Sequence, residues 1–151
     1  MEYVGKASLH SFLKTCPERR LDEAETKRMF KQIVEGLRYC HELSIVHRDI
    51  KLENILLDAN NNIKIIDFGF SIIIGEDKKL KIFCGTPSYM APEIVSKTEY
   101  IGQKADIWAL GILLYTMLQG KFPFKGTSDT DLFKKIKKGS FLHIHPVSTN
   151  A

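Results

Sequence analysis

Between His47 and Gly69 the chain gathers residue types that can do chemistry at short, fixed offsets. The run His47-Arg48-Asp49-Ile50-Lys51-Leu52-Glu53-Asn54 is followed by an apolar stretch, an Asn-rich turn, and then Asp67-Phe68-Gly69. Asp49, Asn54 and Asp67 each offer side-chain oxygen, and Lys51 offers a cation. Magnesium is a hard cation that takes oxygen ligands in near-octahedral geometry, so a carboxylate and an amide can share it without excess charge. Any one of these residues alone is an ordinary solvated turn or helix cap; their combination is what points to a site. Ile55-Leu56-Leu57 predicts a short strand, Asp58 to Asn62 a turn, and Ile63 to Ile66 the return. That hairpin carries Asp67 back beside Asn54.

The pattern resembles H-R-D-x-K-x-x-N followed by D-F-G in the eukaryotic protein kinases. The resemblance implies ATP and Mg2+ as cofactors, with Asn54 and Asp67 as metal ligands. It implies Asp49 as the group that orients the attacking hydroxyl and takes its proton late, in a loose transition state. Lys51 would offset charge on the transferred phosphoryl. Met1 to Val4 resembles the hinge, where backbone near Glu2 and Val4 holds adenine, and Leu56 would form the floor of that pocket. His47 would pack under Phe68 and take no acid or base role. Asp106 would bond back to the catalytic-loop backbone.

The likeness extends downstream. Ser71 to Cys84 resembles an activation segment, and Cys84-Gly85-Thr86-Pro87 through Ala91-Pro92-Glu93 resembles the substrate-docking loop and A-P-E motif. Thr86, bonding toward Asp49 and Lys51, implies a serine/threonine rather than a tyrosine kinase. Two departures stand out. Ile82 occupies the usual phosphothreonine position, which leaves Arg48 without its phosphate partner. Glu93 usually pairs with a downstream arginine, and no arginine follows Arg48. Met-Glu-Tyr and Asp-Phe-Gly-Phe are similar to the calcium/calmodulin-dependent and AMP-activated group, in which Glu53 can face basic residues of a peptide substrate.

The elements that must position these loops are mostly helices. Ser8 to Lys14 predicts a short helix ended by Pro17. Asp22 to Glu42 predicts a long amphipathic one, with Asp22 as N-cap, Glu25 completing a capping box, and Phe30, Ile33, Leu37 and Cys40 or His41 on one face. His41 is expected to end that helix, where an imidazole suits the dipole. The run from Ala105 to Leu118 is apolar nearly all round and predicts a buried helix stopped at Gly120. Asp129 to Lys138 predicts a last helix before Gly139.

The fold expected is mainly α within the α+β class: a kinase-like C-terminal lobe with a small β-hairpin, spanning 1–139, and a tail at 140–151. No glycine-rich loop precedes the hinge in this sequence, so the N-terminal lobe is expected to be absent. ATP is then expected to meet the floor of its cleft without a roof and to bind weakly. The chain holds 151 residues, 44% hydrophobic and 26% charged, as expected for one soluble globular domain. A net charge of +4 without aromatic interleaving gives no nucleic-acid signature. Three scattered cysteines support neither a disulfide framework nor a zinc site. No signal peptide or membrane span is expected, and cytoplasm, or nucleus, is the expected compartment. Two functions follow: a serine/threonine protein kinase acting on protein or peptide substrates, with a preference for basic sites, or a non-catalytic kinase-derived module. Apolar residues from Trp108 to Leu118 are expected to stay uncovered, which favours aggregation or a covering partner.

Overall fold

A computed structural model describes residues 7–75, 77–141 and 145–148. Helices dominate, and the sheets among the described residues are small. Strand β1 (Ala7–Ser8) leads into α1 (Leu9–Thr15), where the Ser11 backbone N–H donates to the Ser8 hydroxyl cap at 3.2 Å. Ser8 therefore caps α1 and does not begin it. Leu9 and Leu13, one helical turn apart, are both buried. Pro17 then opens a single 3-10 turn, Pro17–Arg19.

Helix α2 (Glu23–Glu42) starts at the expected cap, with the Glu25 N–H donating to Asp22 Oδ1 at 2.8 Å. Its buried stripe is Thr26, Met29, Ile33 and Leu37; Phe30 and Cys40 lie half-buried beside it. The expected face is thus rotated slightly toward Met29. Strand β2 (Ile45–Val46) precedes the loop that holds Asp49. Strands β3 (Ile55–Leu57) and β4 (Ile63–Ile65) form the expected hairpin, with Leu56 opposite Lys64. Asp58 closes its turn by accepting from the Asn60 and Asn62 backbone N–H groups, and Asn61 takes the left-handed conformation at φ 58°. Strand β1 adds to the other edge of β3, Ser8 opposite Leu56.

The segment after Asp67 is tied down at two points. Strand β5 (Ile72–Ile73) pairs with β2, and β6 (Lys79–Leu80) pairs with β7 (Tyr100–Ile101). Helix α3 (Pro92–Val95) is a single turn with Pro92 at its first position. Helix α4 (Gly102–Gln119) runs through the core, and α5 (Asp129–Lys138) closes against α3. In α4, Ala109, Leu110, Ile112, Leu113 and Met117 are buried. The face is not closed all round: Ile107 is 58% exposed, and Trp108, Leu114, Tyr115 and Leu118 are half-buried. No helix among the described residues is long and apolar enough to cross a membrane. At the far end of the chain, the His145 N–H donates to Gln119 Oε1 at 2.8 Å and the Ser148 N–H to Glu23 Oε1 at 2.6 Å.

Gly120 ends α4 in the left-handed conformation at φ 67°, and a Cβ there would fall against the Glu18 carbonyl. Gly120→Ala is therefore expected to destabilise the fold by more than about 1 kcal/mol, because conformation and space both oppose it. Urea denaturation measures this; an unchanged midpoint would show that α4 does not need this stop.

Candidate active site

The loop after β2 owes its shape to one buried acid. Asp106, 1% exposed on α4, accepts from the His47 N–H at 2.9 Å and the Arg48 N–H at 2.8 Å, one on each carboxylate oxygen. His41 Nε2 lies 2.9 Å from Oδ2 of the same carboxylate, so it carries the proton and donates. His41 is thus a supporting group, and not merely a residue suited to the helix dipole. Nothing in the local sequence announces this, because its partner lies on another helix.

With its backbone held, the loop turns through Arg48 at φ 67°, a left-handed conformation that costs energy for a side-chain-bearing residue. The Arg48 Nε donates to the Phe70 carbonyl at 2.5 Å, while one guanidinium NH2 is buried without a hydrogen-bond partner. Ile82, at the position noted above, is half exposed, and its carbonyl accepts from the Tyr100 hydroxyl at 2.9 Å. This bond, the two small ladders and the Ile74 N–H donating to the Ser44 carbonyl at 2.9 Å hold the described residues on either side of position 76.

Asp49 is only 4% exposed, and its carboxylate is filled with donors. Lys51 Nζ donates to Oδ2 at 2.6 Å and Thr86 Oγ1 donates to Oδ1 at 2.8 Å. Lys51 Nζ also reaches Thr86 Oγ1 at 3.2 Å, which closes a triangle of acid, cation and hydroxyl. The Gly85 φ of 113° makes this approach possible: a Cβ at Gly85 would sit 3.1 Å from the Arg48 carbonyl.

Asn54 joins from below. Its amide nitrogen donates to the Asp49 carbonyl at 2.9 Å and to Asp49 Oδ2 at 3.2 Å. Two oxygen partners fix the orientation of the amide, leaving Oδ1 as the group that could take a cation. The Ile66 N–H donates to the Asn54 carbonyl at 2.9 Å, so the hairpin does bring the Asp67 backbone beside Asn54. Asp67 is exposed, left-handed at φ 62°, and its Oδ1 accepts from the Gly69 N–H at 3.2 Å. The donor set on offer is oxygen alone, which suits a hard divalent cation. Among the described residues no group of three or more His, Cys, Asp or Glu forms a metal-holding cluster.

His47 is spent on structure. Its Nε2 donates to the Ile66 carbonyl at 3.1 Å, its Nδ1 accepts from the Asp49 N–H at 3.2 Å, and its ring meets Phe68 edge-on at 4.8 Å. Tyr89, in the turn after Thr86, has its hydroxyl 3.2 Å from the Leu52 N–H, which donates to it. Leu56 is half-buried on β3. Glu2 and Val4 lie outside the described residues. Glu53 is exposed and lies 3.9 Å from His10 Nδ1. The Glu93 carboxylate makes no ion pair among the described residues.

Burial pushes the Tyr100 phenol up to about 12, with Cys84 nearby adding to the shift, and burial drives Tyr89 well above the usual tyrosine range. Both are neutral in the fold and ionise sooner when unfolded. Their contribution is therefore complete below the ordinary value of 10.0 and fades as pH rises toward 12. Denaturation midpoints are expected to fall over that window, and Tyr100→Phe to flatten part of the fall; an unchanged slope would show Tyr100 ionising freely.

Comparison with known proteins shows the family of the chain. The protein kinase domain family model matches residues 1–150. NUAK family SNF1-like kinase 1 of Mus musculus is 49% identical over 141 residues, covering 93% of this chain and 21% of that protein. The Homo sapiens protein of the same name matches equally well, at 49%. NUAK family SNF1-like kinase 2 of Rattus norvegicus is 47% identical, over 93% of this chain and 22% of that protein. The chain thus spans about a fifth of the length of the curated relatives it matches. With this match over nearly its full length, the chain belongs to the protein kinase family.

Proposed function

We propose that this chain is the large lobe of a serine/threonine protein kinase, spanning 1–139 with a tail at 140–151, and that Asp49, Lys51, Asn54 and Asp67 form its phosphoryl-transfer site. The observation that carries the reading is the closed triangle of Asp49, Lys51 and Thr86, with the Asn54 amide locked beneath it. Asp49 orients a substrate hydroxyl and receives its proton. An ordinary aspartate, with a pKa near 3.9, is a weak base, but a loose transition state asks for the proton only late. Lys51 stands beside Asp49 to offset negative charge on the phosphoryl oxygens. Thr86 holds both in register. Asn54 Oδ1 and the Asp67 carboxylate are the groups that would hold Mg2+, which when bound neutralises phosphate charge. Leu56, with backbone near Glu2 and Val4, would receive the adenine of ATP.

The substrate is a protein or peptide hydroxyl of serine or threonine, and Glu53 favours basic residues near it. The work is expected inside the cell, in cytoplasm or nucleus. The test is transfer of labelled γ-phosphate from MgATP to serine and tyrosine peptides, with Asp49→Asn as control. Serine transfer that disappears in the variant is expected. Transfer that goes to tyrosine, or that survives the substitution, overturns the assignment; no transfer at all from the unsubstituted chain would favour a kinase-derived binding module.

A further inference from the structure

A second feature of the surface lies outside the cluster of Asp49, Lys51, Asn54 and Thr86. Helix α1, the Pro17–Arg19 turn and the loop after α4 enclose an open groove of about 620 Å³. Its charges are lopsided. Lys14, Arg19, Lys121 and Lys125 line it, and none of the four is in an ion pair among the described residues. The single carboxylate in the lining, Glu18, is already engaged by Arg20, whose Nε donates to it at 2.8 Å. Arg20 together with His145, 3.9 Å away, holds the Glu18 carboxyl below the usual range, so it stays paired and ionised. The Lys125 backbone is itself fixed, since Lys135 Nζ donates to its carbonyl at 2.7 Å.

From this groove we infer a docking site for an acidic, extended peptide segment. Four cations against one already-paired carboxylate favour an anionic occupant. They are spread over three separate stretches of chain around a groove of this size, so they suit a run of carboxylates better than a single small anion. The floor is apolar, formed by Leu13, Leu52 and Phe122, and can take the bodies of side chains between the charges. Phe122 packs edge-on against Tyr89 with ring centres 5.3 Å apart, so no free aromatic platform for nucleobases is offered. The groove takes Leu52 from the loop that bears Asp49, yet binding there requires none of the catalytic groups.

The test is fluorescence anisotropy with the full chain and a short labelled Asp/Glu-rich peptide, beside a Lys/Arg-rich peptide of equal length. The acidic peptide is expected to bind, with affinity falling at least about tenfold between low and high salt. Lys121→Glu with Lys125→Glu is expected to weaken it by at least about tenfold, since both side chains are exposed and the contacts change sign. Lys134→Glu with Lys137→Glu makes the same change of net charge on α5, outside the groove, and is expected to leave binding within about twofold. Circular dichroism verifies that both double variants fold. Equal binding of the two peptides, or equal weakening by the two double variants, would overturn the proposal. Because the readout is binding alone, it stands or fails independently of phosphoryl transfer.

Discussion

Asp106→Ala is expected to remove about 3–5 kcal/mol of unfolding free energy, a large share of the roughly 5–15 kcal/mol that holds a domain of this size folded. The side chain is buried and accepts from the His47 N–H, the Arg48 N–H and His41 Nε2, each at 2.8–2.9 Å. Cutting it back to a methyl group strands three donors at once, one buried and two partly buried, and a stranded buried donor costs about 1–3 kcal/mol. It also frees a loop held in a left-handed turn at Arg48, which loses the contacts that hold it there. Urea denaturation reads the stability, and amide exchange at His47 and Arg48 reads the loop. A change below about 1 kcal/mol, with both amides still protected, would show that the loop is held from elsewhere. Asp106→Asn should fall between, because one amide oxygen can satisfy some of the donors while its NH2 opposes another.

That prediction also marks what could be read in the residues alone. Elements governed by local rules were legible. Asp22 and Glu25 set the start of α2, Gly120 and Gly139 stop α4 and α5, and the Asn-rich turn folds β3 back on β4. The match of Asp49, Asn54 and Asp67 to a known pattern was legible too, together with the Thr86 bond and the Asp106 tie. The contacts that stayed hidden are those between distant stretches without periodicity. Strands β1, β2, β5, β6 and β7 are two residues each, too short for alternation to show. The role of His41 depends on a carboxylate 65 positions away, and the Tyr89 bond to Leu52 spans 37. In both cases the two partners lie too far apart along the chain for any local pattern to join them.

Supporting and central groups should therefore separate in experiment. Where Asp106 acts on the loop as a whole, Asp49 acts through its own two oxygens. In Asp49→Asn the volume is kept, but one oxygen becomes an NH2 that cannot accept from Lys51 or from a substrate hydroxyl. Thr86 can rotate its hydroxyl and accept from that NH2, which leaves the remaining oxygen to accept from Lys51 and Asn54. What Lys51 loses is the negative charge of its partner, not the acceptor. The fold should consequently survive with a modest loss of stability, about 1–3 kcal/mol for the lost charged pair. Phosphoryl transfer should fall by about 10²–10⁴-fold, the share that positioned proton acceptance supplies. Thr86→Val is the companion variant. It leaves the Asp49 carboxylate and its Lys51 partner in place and removes only the hydroxyl that aligns them, so it should lose less than Asp49→Asn. Equal losses in the two variants would mean that alignment carries the rate and that Asp49 is one more positioning group. An Asp49→Asn variant with undiminished transfer would remove it from the reaction altogether.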